Sequence, residues 1–370
     1  METIPFVDLR AQYQTVREEV TAGWAAALES MRLLLGPNVR AFEQEFAAFC
    51  GVPHAVGVGS GTDALILALR AMGVGPGDQV ITVSHTFIAT IAAVLAVGAH
   101  PVLVDVEQAT GLMDVALLPD PPGPHVRAVI PVHLYGQTVD MEPLLAWARA
   151  HGVIVIEDAC QAHGATYGGR RAGTMGDVGC FSHYFSKNLG ALGDAGIVVT
   201  GRSATAEMIA LLRHHGEEEK YHHRLIGTNS RLDELQAVVL RAKLRHLEEW
   251  NARRRVVAGW YREELQGLPL QLPIEVAGRT HVYHLYTVRT ARRDELARWL
   301  RERGVETGIH YPVPVHRQPA WSYPSDTPDL PETEAWARET LSLPMYPELT
   351  REQVARVGQA IRDFFGRSAA

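Results

Sequence analysis

Short apolar runs rich in β-branched residues recur between residues 54 and 200: HAVGV (54–58), QVITV (79–83), PVLVDV (101–106), AVIPV (128–132), VIVIED (153–158), VGCFSH (178–183) and GIVVT (196–200). Helical patterns lie between them, among them DALILALRAMG, TIAAVLAVG and MEPLLAWARAHG. Near-continuous apolar strands alternating with helices predict an α/β fold of βα units around a mostly parallel, buried sheet. Ligands of such a sheet gather at the carboxyl ends of its strands. Residues 230–265 carry apolar positions at three-to-four spacing amid many charges and predict one long amphipathic helix. After it, HLYTVRT reads as a strand, RDELARWLRERG as a helix, and TREQVARVGQAIRDFF as a closing helix opened by a Thr350-x-x-Gln353 capping box. The Pro-rich stretch 310–331 is a loop. The pattern divides the chain into a large domain, 1–250, whose first 30 residues pack on it as an arm or helix, and a small C-terminal α/β domain, 251–370.

Composition narrows the class. A chain of 370 residues with 46% hydrophobic content fits a large domain plus a smaller one. The formal net charge of -7, without a basic run, argues against a nucleic-acid partner. No apolar stretch is long enough to cross a bilayer, and METIPFVDLRAQYQ lacks the layout of a signal peptide. Cys50, Cys160 and Cys180 are odd in number and widely spaced, which points to a reducing compartment and a cytoplasmic location rather than a disulfide framework or a zinc site. Of 35 basic residues only Lys187, Lys220 and Lys243 are lysine. A chain that writes arginine wherever charge suffices keeps lysine where an amine is needed, because the guanidinium stays protonated and forms no Schiff base.

Candidate chemistry falls at the predicted strand ends. Asp158 closes VIVIED and is either a helix N-cap or a carboxylate partner for a protonated pyridine nitrogen. Lys187, in SKNLGALGDAG between two predicted strands, is either a solvated loop lysine or an amine nucleophile. Lys220, in EEEK, reads as a surface charge, and Lys243 as a residue on the polar face of its helix. GVGSGTDALILAL (57–69) feeds a Gly-Ser-Gly-Thr turn into a helix, where amide groups and the positive helix end can hold a phosphate, with the Ser60 and Thr62 hydroxyls able to help. The alternative, a dinucleotide fingerprint on Gly57, Gly59 and Gly61, has the wrong spacing, and Asp105 lies too far along to serve it. Ser182 can reach the same phosphate or be an ordinary strand serine. Phe87 can stack on a flat ring or simply pack in the core. A phosphate cradle, a ring stacker, a pyridinium carboxylate and an amine at the ends of one sheet are together what pyridoxal 5'-phosphate (PLP) requires.

At these residues the chain resembles the DegT/DnrJ/EryC1/StrS family of sugar aminotransferases, of the aspartate-aminotransferase fold type I. The likeness runs almost end to end through IPFVDLRAQY, LLGPNVRAFEQEFA, GSGTDALILAL, HTFIAT, VHLYGQ, IEDACQAHGA, SKNLGALGDAG, GTNSRLDELQA, GIHYPVPVHRQPAW and LSLPMYP. The resemblance implies Lys187 as the Schiff-base lysine, Asp158 as the partner of the ring nitrogen and Gln161 beside the ring hydroxyl. It further implies Gly61, Thr62 and Ser182 on the phosphate and Phe87 on the ring. It implies a homodimer with shared sites, in which Asn229 reaches the partner's phosphate and Arg231 the sugar nucleotide. His310 and Tyr311 then contribute to the sugar pocket. Thr228 stands where relatives often carry an aromatic residue, which bears on the interface near the substrate. Lys187 argues against the dehydratase branch, where histidine replaces it. The implied reaction is ping-pong: L-glutamate donates its amino group and leaves as 2-oxoglutarate, then a nucleotide-linked keto-sugar, dTDP or UDP, accepts the group, with Lys187 as acid and base. The GIHYPVPVHRQPAW loop is more similar to the branch acting at C3. Two other readings stay open: a different fold-type-I enzyme acting on cyclitols or amino acids, and a cofactor-binding regulator without turnover.

Overall fold

The computed structural model describes residues 3–321 and 329–366. Residues 322–328 of the Pro-rich loop lie outside the described residues. Helix α1 (Leu9–Ser30) starts where the Asp8 carboxylate accepts the N–H groups of Arg10 and Ala11, each at 3.0 Å. Helix α2 (Pro37–Cys50) has proline at its first position and stops at Gly51, with φ 74°. Then follow β1 (His54–Val58), α3 (Gly61–Ala71), β2 (Gln79–Val83), α4 (Ala89–Ala96), β3 (His100–Val104), β4 (Val126–Val129), α5 (Met141–His151) and β5 (Ile154–Asp158). Two short strands, β6 (Thr166–Tyr167) and β7 (Arg170–Arg171), precede β8 (Val178–Ser182) and β9 (Gly196–Thr200).

The long strands form a seven-stranded sheet in the order β1-β9-β8-β5-β4-β2-β3. Pairing is parallel from β8 through β3, and β9 runs antiparallel to both neighbours, so β1 recovers the common direction. The sheet is mostly parallel, as the alternation of elements predicts. Its two faces are read directly from β9, where Val198 packs with Leu67, Val80 and Ile156, while Ile197 and Val199 pack with Phe42, Phe46 and Leu240. Both faces are dry, which is why the strands are continuously apolar rather than alternating.

Next come α6 (Ser203–Leu212), a hairpin of β10 (Glu217–Glu219) and β11 (His222–His223), α7 (Glu234–Leu244) and α8 (Leu247–Leu265). The single helix expected over 230–265 is therefore two. At the break the N–H of His246 bonds Lys243 O at 3.0 Å, a tighter turn than the helical ladder. Each half buries its own face. Ala237, Leu240 and Leu244 of α7 join the core beside the sheet, and Val257, Ala258 and Tyr261 of α8 join a separate one. Three-to-four spacing alone did not reveal that the apolar stripe changes direction.

The chain ends with β12 (Arg279–Thr280), β13 (Tyr286–Arg289), α9 (Arg293–Glu302), α10 (Pro331–Glu339), β14 (Thr340–Leu343) and α11 (Arg351–Gly366). Val257, Tyr261, Tyr286, Leu296, Leu300, Leu341 and Ile361 form the separate core. The capping box of α11 is present: Thr350 N–H donates to Gln353 Oε1 at 3.0 Å, and Gln353 N–H to Thr350 Oγ1 at 3.2 Å. The N-terminal arm behaves differently from expectation. Val16 and Val20 of α1 do pack on α7, against Val239 and Ala242. Ile4, however, bridges to Val305 and sits in the C-terminal core. The arm thus ties both cores together. No described helix is long and apolar enough to cross a membrane.

Candidate active site

A cavity of about 470 Å³ opens at the carboxyl ends of β1, β2, β4, β5 and β8. That volume lies in the about 300–1,000 Å³ range of small-molecule sites. Gly61, Thr62, Phe87, Asp158, Gln161, Ser182, Lys187, His310 and Tyr311 all line it. The fold thereby gathers residues spread over some 250 positions of sequence, as the strand-end rule predicts.

At the end of β1, Ser60 caps α3 by accepting the N–H of Asp63 at 3.1 Å. The amides of Gly61 and Thr62, in the first turn, have no helical carbonyl to reach and carry the positive end of the helix dipole. A Cβ on Gly61 would lie 2.5 Å from Ser182 Cβ, so only glycine lets the start of α3 sit this close to β8. The pair is a cradle of donors with a serine hydroxyl behind it.

Asp158 ends β5 and is 6% exposed. No α-helix follows it, so the helix-cap alternative does not hold. Its Oδ1 accepts the N–H of Cys160 at 3.2 Å in a tight turn. Its Oδ2 accepts the Thr90 hydroxyl at 2.8 Å, and Thr90 is bonded in turn to the Thr86 hydroxyl at 2.8 Å. Sequence reading passed over Thr86 and Thr90. The signal was there, since Thr90 is the one polar residue opening the apolar TIAAVLAVG helix. Glu157, next to Asp158, points the other way into the protein, accepting His133 Nε2 at 2.8 Å and the amides of Gly173, Met175 and Gly176 at 2.6–2.7 Å. It braces the turn before β8.

Lys187 lies in the connection from β8 to β9, half-buried, and its ammonium makes no hydrogen bond or ion pair with a described residue. Burial lowers its pKa from the ordinary lysine range, opposed by the charges of Cys160 and Asp158. The imidazoles beside it stay neutral. Burial, with Lys187 second, holds His310 down to about 4 and His284 well below its usual value. The backbone around Lys187 is anchored by Asn188, whose Nδ2 donates to Asn251 Oδ1 at 2.9 Å and to Val282 O at 3.1 Å. Lys243 also anchors it. Contrary to expectation, Lys243 is 2% exposed and donates from Nζ to Gly190 O at 2.7 Å, its pKa pulled down to about 8 by burial. Helical periodicity placed Lys243 on a polar face, but that face looks into the protein. Lys220 is an exposed residue of the hairpin segment, as read.

Gln161 is fixed at both ends. Its Oε1 accepts Tyr135 N–H at 2.7 Å, and its Nε2 donates to Tyr311 Oη at 3.2 Å. Phe87, 53% exposed, stands at the mouth with its ring 5.7 Å from that of Tyr311. Asn229 and Arg231 do not reach the cavity of their own chain. Asn229 bridges to His214, and Arg231 Nη1 lies 3.1 Å from His214 Nδ1. Their loop is pinned to α3 by Ser230, whose hydroxyl donates to Asp63 Oδ2 at 2.7 Å.

The donor set suits PLP: an anion cradle, a buried carboxylate on the floor, a half-buried amine with a lowered pKa and an aromatic ring at the mouth. Comparison with known proteins agrees. A dTDP-3-amino-3,4,6-trideoxy-alpha-D-glucose transaminase of Streptomyces venezuelae is 50% identical over 98% of this chain and 97% of its own. A UDP-N-acetyl-3-dehydro-alpha-D-glucosamine 3-aminotransferase of Acidithiobacillus ferrooxidans is 48% identical over 97% of each chain. The crystal structure of Streptomyces venezuelae DesV superposes with a TM-score of 0.95, at 50% identity, over 98% of this chain and 99% of that one. Bacillus subtilis NtdA, solved with bound cofactor PMP, gives a TM-score of 0.92 at 29% identity over 99% of this chain and 86% of that one. The profile of the DegT/DnrJ/EryC1/StrS aminotransferase family matches residues 14–362. With the PLP-type site and this match over nearly its whole length, the chain belongs to the DegT/DnrJ/EryC1/StrS aminotransferase family.

Proposed function

We propose that this aminotransferase moves an amino group from L-glutamate to C3 of a nucleotide-linked keto-sugar, dTDP- or UDP-linked, for amino-sugar and polysaccharide biosynthesis. The observation that carries the reading is that relatives 50% and 48% identical over almost the full chain are both named for a 3-amino sugar on a nucleotide. In this reading Gly61, Thr62 and Ser182 hold the phosphate, Phe87 covers the ring, and Gln161 meets the ring hydroxyl. Bound PLP supplies an electron sink. Asp158 keeps the ring nitrogen protonated, its carboxylate oriented by Thr90 and by Cys160 N–H. Lys187 is the point of attachment and, once free, carries the proton to and from the reacting carbon. His310 and Tyr311 line the sugar side. The division into a large domain, 1–250, and a small one, 251–370, is part of the proposal. The separate core of α8, α9 and α11 supports it.

A panel of keto-sugar nucleotides with glutamate as donor tests the acceptor. Nucleotide-linked 3-keto-sugars are expected to be aminated fastest. Better amination of free sugars or 2-oxo acids than of every sugar nucleotide tried would refute the substrate class.

The same reading makes the protein a cytoplasmic homodimer whose sites are shared, with Asn229 and Arg231 acting on the partner's cofactor and substrate. Support comes from the loop that carries them. Tyr221 and Ile226 beside it are 79% and 85% exposed, an amount of apolar surface that favours a covering partner. A two-fold interface presents both halves of a site twice. Mixing Lys187→Ala with an Asn229→Ala/Arg231→Ala double variant, each inactive alone, should therefore restore activity in hybrids, where one site carries both defects and the other neither. Hybrids verified by mass that stay as inactive as the parents would place Asn229 and Arg231 outside the partner's site.

A further inference from the structure

The residues Ser84 to Phe87 follow β2 at its carboxyl end, and each holds a different part of the site. Thr86 leads through Thr90 to Asp158. The other three reach the loop that begins with His310 and Tyr311. The Phe87 ring lies 5.7 Å from that of Tyr311. His85 Nε2 lies 2.8 Å from Tyr135 Oη, and Tyr135 spends its one proton on His310 O. His85, held neutral by burial that pushes its pKa down to about 3, is therefore the donor to Tyr135.

Ser84 binds the loop more than once. Pro312 and Pro314 deprive that loop of two amide donors. The next two amides both go to Ser84: Val315 N–H donates to its carbonyl at 3.3 Å and His316 N–H to its hydroxyl at 3.1 Å. The same hydroxyl lies 2.7 Å from His316 Nδ1, and His316 Nε2 faces Glu334 Oε1 at 3.4 Å. Arg317 grips that carboxylate oxygen at 2.7 and 2.9 Å and holds Glu334 below the usual carboxylate range, so the oxygen only accepts. Nε2 then carries the ring proton, Nδ1 is bare, and the Ser84 hydroxyl donates to it. Every polar atom of the join has a partner in one arrangement. Ser84 is no nucleophile despite its histidine and glutamate neighbours, because it is sealed from solvent and does not line the cavity.

We propose that Ser84 and His316 are positioning residues of the acceptor site: their join fixes the loop against the end of β2, so that His310 and Tyr311 form a preformed wall for the substrate that receives the amino group. The idea rests on the reading of His310 and Tyr311 as the acceptor side. A wall held in place before binding spares the substrate the cost of ordering it. The donor half of the reaction depends on Lys187 and Asp158, which have supports of their own. Asn188 and Lys243 hold the Lys187 loop, and Thr90 holds Asp158. Loosening Ser84 and His316 should therefore fall on the acceptor half alone.

The two half-reactions are measured separately. The acceptor is whichever the wild type aminates fastest among dTDP- and UDP-linked 3-keto-sugars, free keto-sugars and 2-oxo acids. Ser84→Ala should lower kcat/KM for that acceptor at least about 10-fold, within the range that a misplaced positioning surface costs. Reaction with glutamate, followed by loss of the cofactor's visible absorption, should stay near wild type. His316→Phe should match Ser84→Ala, and the double variant should be no worse than the poorer single one, because both remove the same join. His316→Asn, which keeps an acceptor where Nδ1 stands, should recover most of the loss. Equal losses in both half-reactions would reduce the join to a structural contact and overturn the proposal. Amide hydrogen exchange on the cofactor-free protein reads the loop directly. Ser84→Ala should speed exchange at Val315 and His316 severalfold and leave residues 187–191 unchanged. Exchange at Val315 and His316 that does not change overturns the proposal whatever the acceptor is. A wild type that aminates only 2-oxo acids refutes the sugar reading instead, and the split between the half-reactions still decides the role of Ser84 and His316.

Discussion

Lys187→Ala protein is expected to fold, to hold cofactor without a borohydride-reducible linkage, and to transfer amino groups at least about 10³-fold more slowly, the range of a well-placed acid–base group. The expectation of folding follows from the site: Lys187 is half-buried, its ammonium bonds no described residue, and the loop is held instead by Asn188 and Lys243. Lys187→Arg should be as inactive as Lys187→Ala, because it keeps the charge but cannot form the carbon–nitrogen linkage. The two variants together separate nucleophilicity from electrostatics. The linkage also has a pH signature. Attack needs the neutral amine, and burial lowers the Lys187 pKa. The rate of cofactor attachment should therefore rise with pH and level off at a lower pH than that of an unburied lysine, with the loss of rate occurring as pH falls through the lowered value. A borohydride-reducible linkage of PLP retained by the Lys187→Ala protein would refute the assignment, and peptide mapping after reduction shows which residue carries it.

Asp158→Asn removes a charge while leaving shape and hydrogen bonds nearly intact, and turnover should drop by at least about 10²-fold, the loss seen when one preorganised electrostatic group is removed. The local network can accept the amide. Either hydroxyl of the Thr86–Thr90 pair can be the donor, so Thr90 can turn to accept from the new amide nitrogen while the remaining oxygen keeps the N–H of Cys160. Structure and melting temperature should therefore change little, and the loss should fall on the rate rather than on folding. Near wild-type turnover would reduce Asp158 to a brace of its turn. The bound cofactor's absorption reports the same event independently, since a ring nitrogen without its carboxylate partner loses its proton more readily.

Much of the site was legible because cofactor chemistry is written in local segments. GSGTDALILAL carries its own cap, its own glycine and its own helix dipole within a dozen residues, and Asp158 closes a strand that apolarity alone reveals. Lysine scarcity singled out three candidates, and Lys187 among them stood at the sheet's ligand edge. The same reasoning misplaced Lys243. Periodicity tells which residues share a helix face, but not whether that face meets water or, as here, a backbone carbonyl of the loop that holds Lys187. It also ran α7 and α8 together, since two amphipathic stripes that turn toward different cores read as one when only spacing is visible.

The parallel sheet, the anion cradle at α3, the Asp158 and Lys187 positions and the cap of α11 were determined by sequence alone, because each depends on neighbours within one or two turns or on a strand's own burial. Only the tertiary structure decided what each of these groups touches. Thr90 reaches Asp158 across 68 positions, Glu234 caps the distant α2 by accepting Asn38 N–H at 2.6 Å, and Asp105 accepts the amides of Glu332 and Thr333 at the start of α10. Gln12 and Glu348, at opposite ends of the chain, line one small cavity behind Lys187. Contacts of this kind leave no periodic trace. A buried polar atom must find some partner, but the chain can supply it from any distance, and which one arrives is settled when the two cores pack.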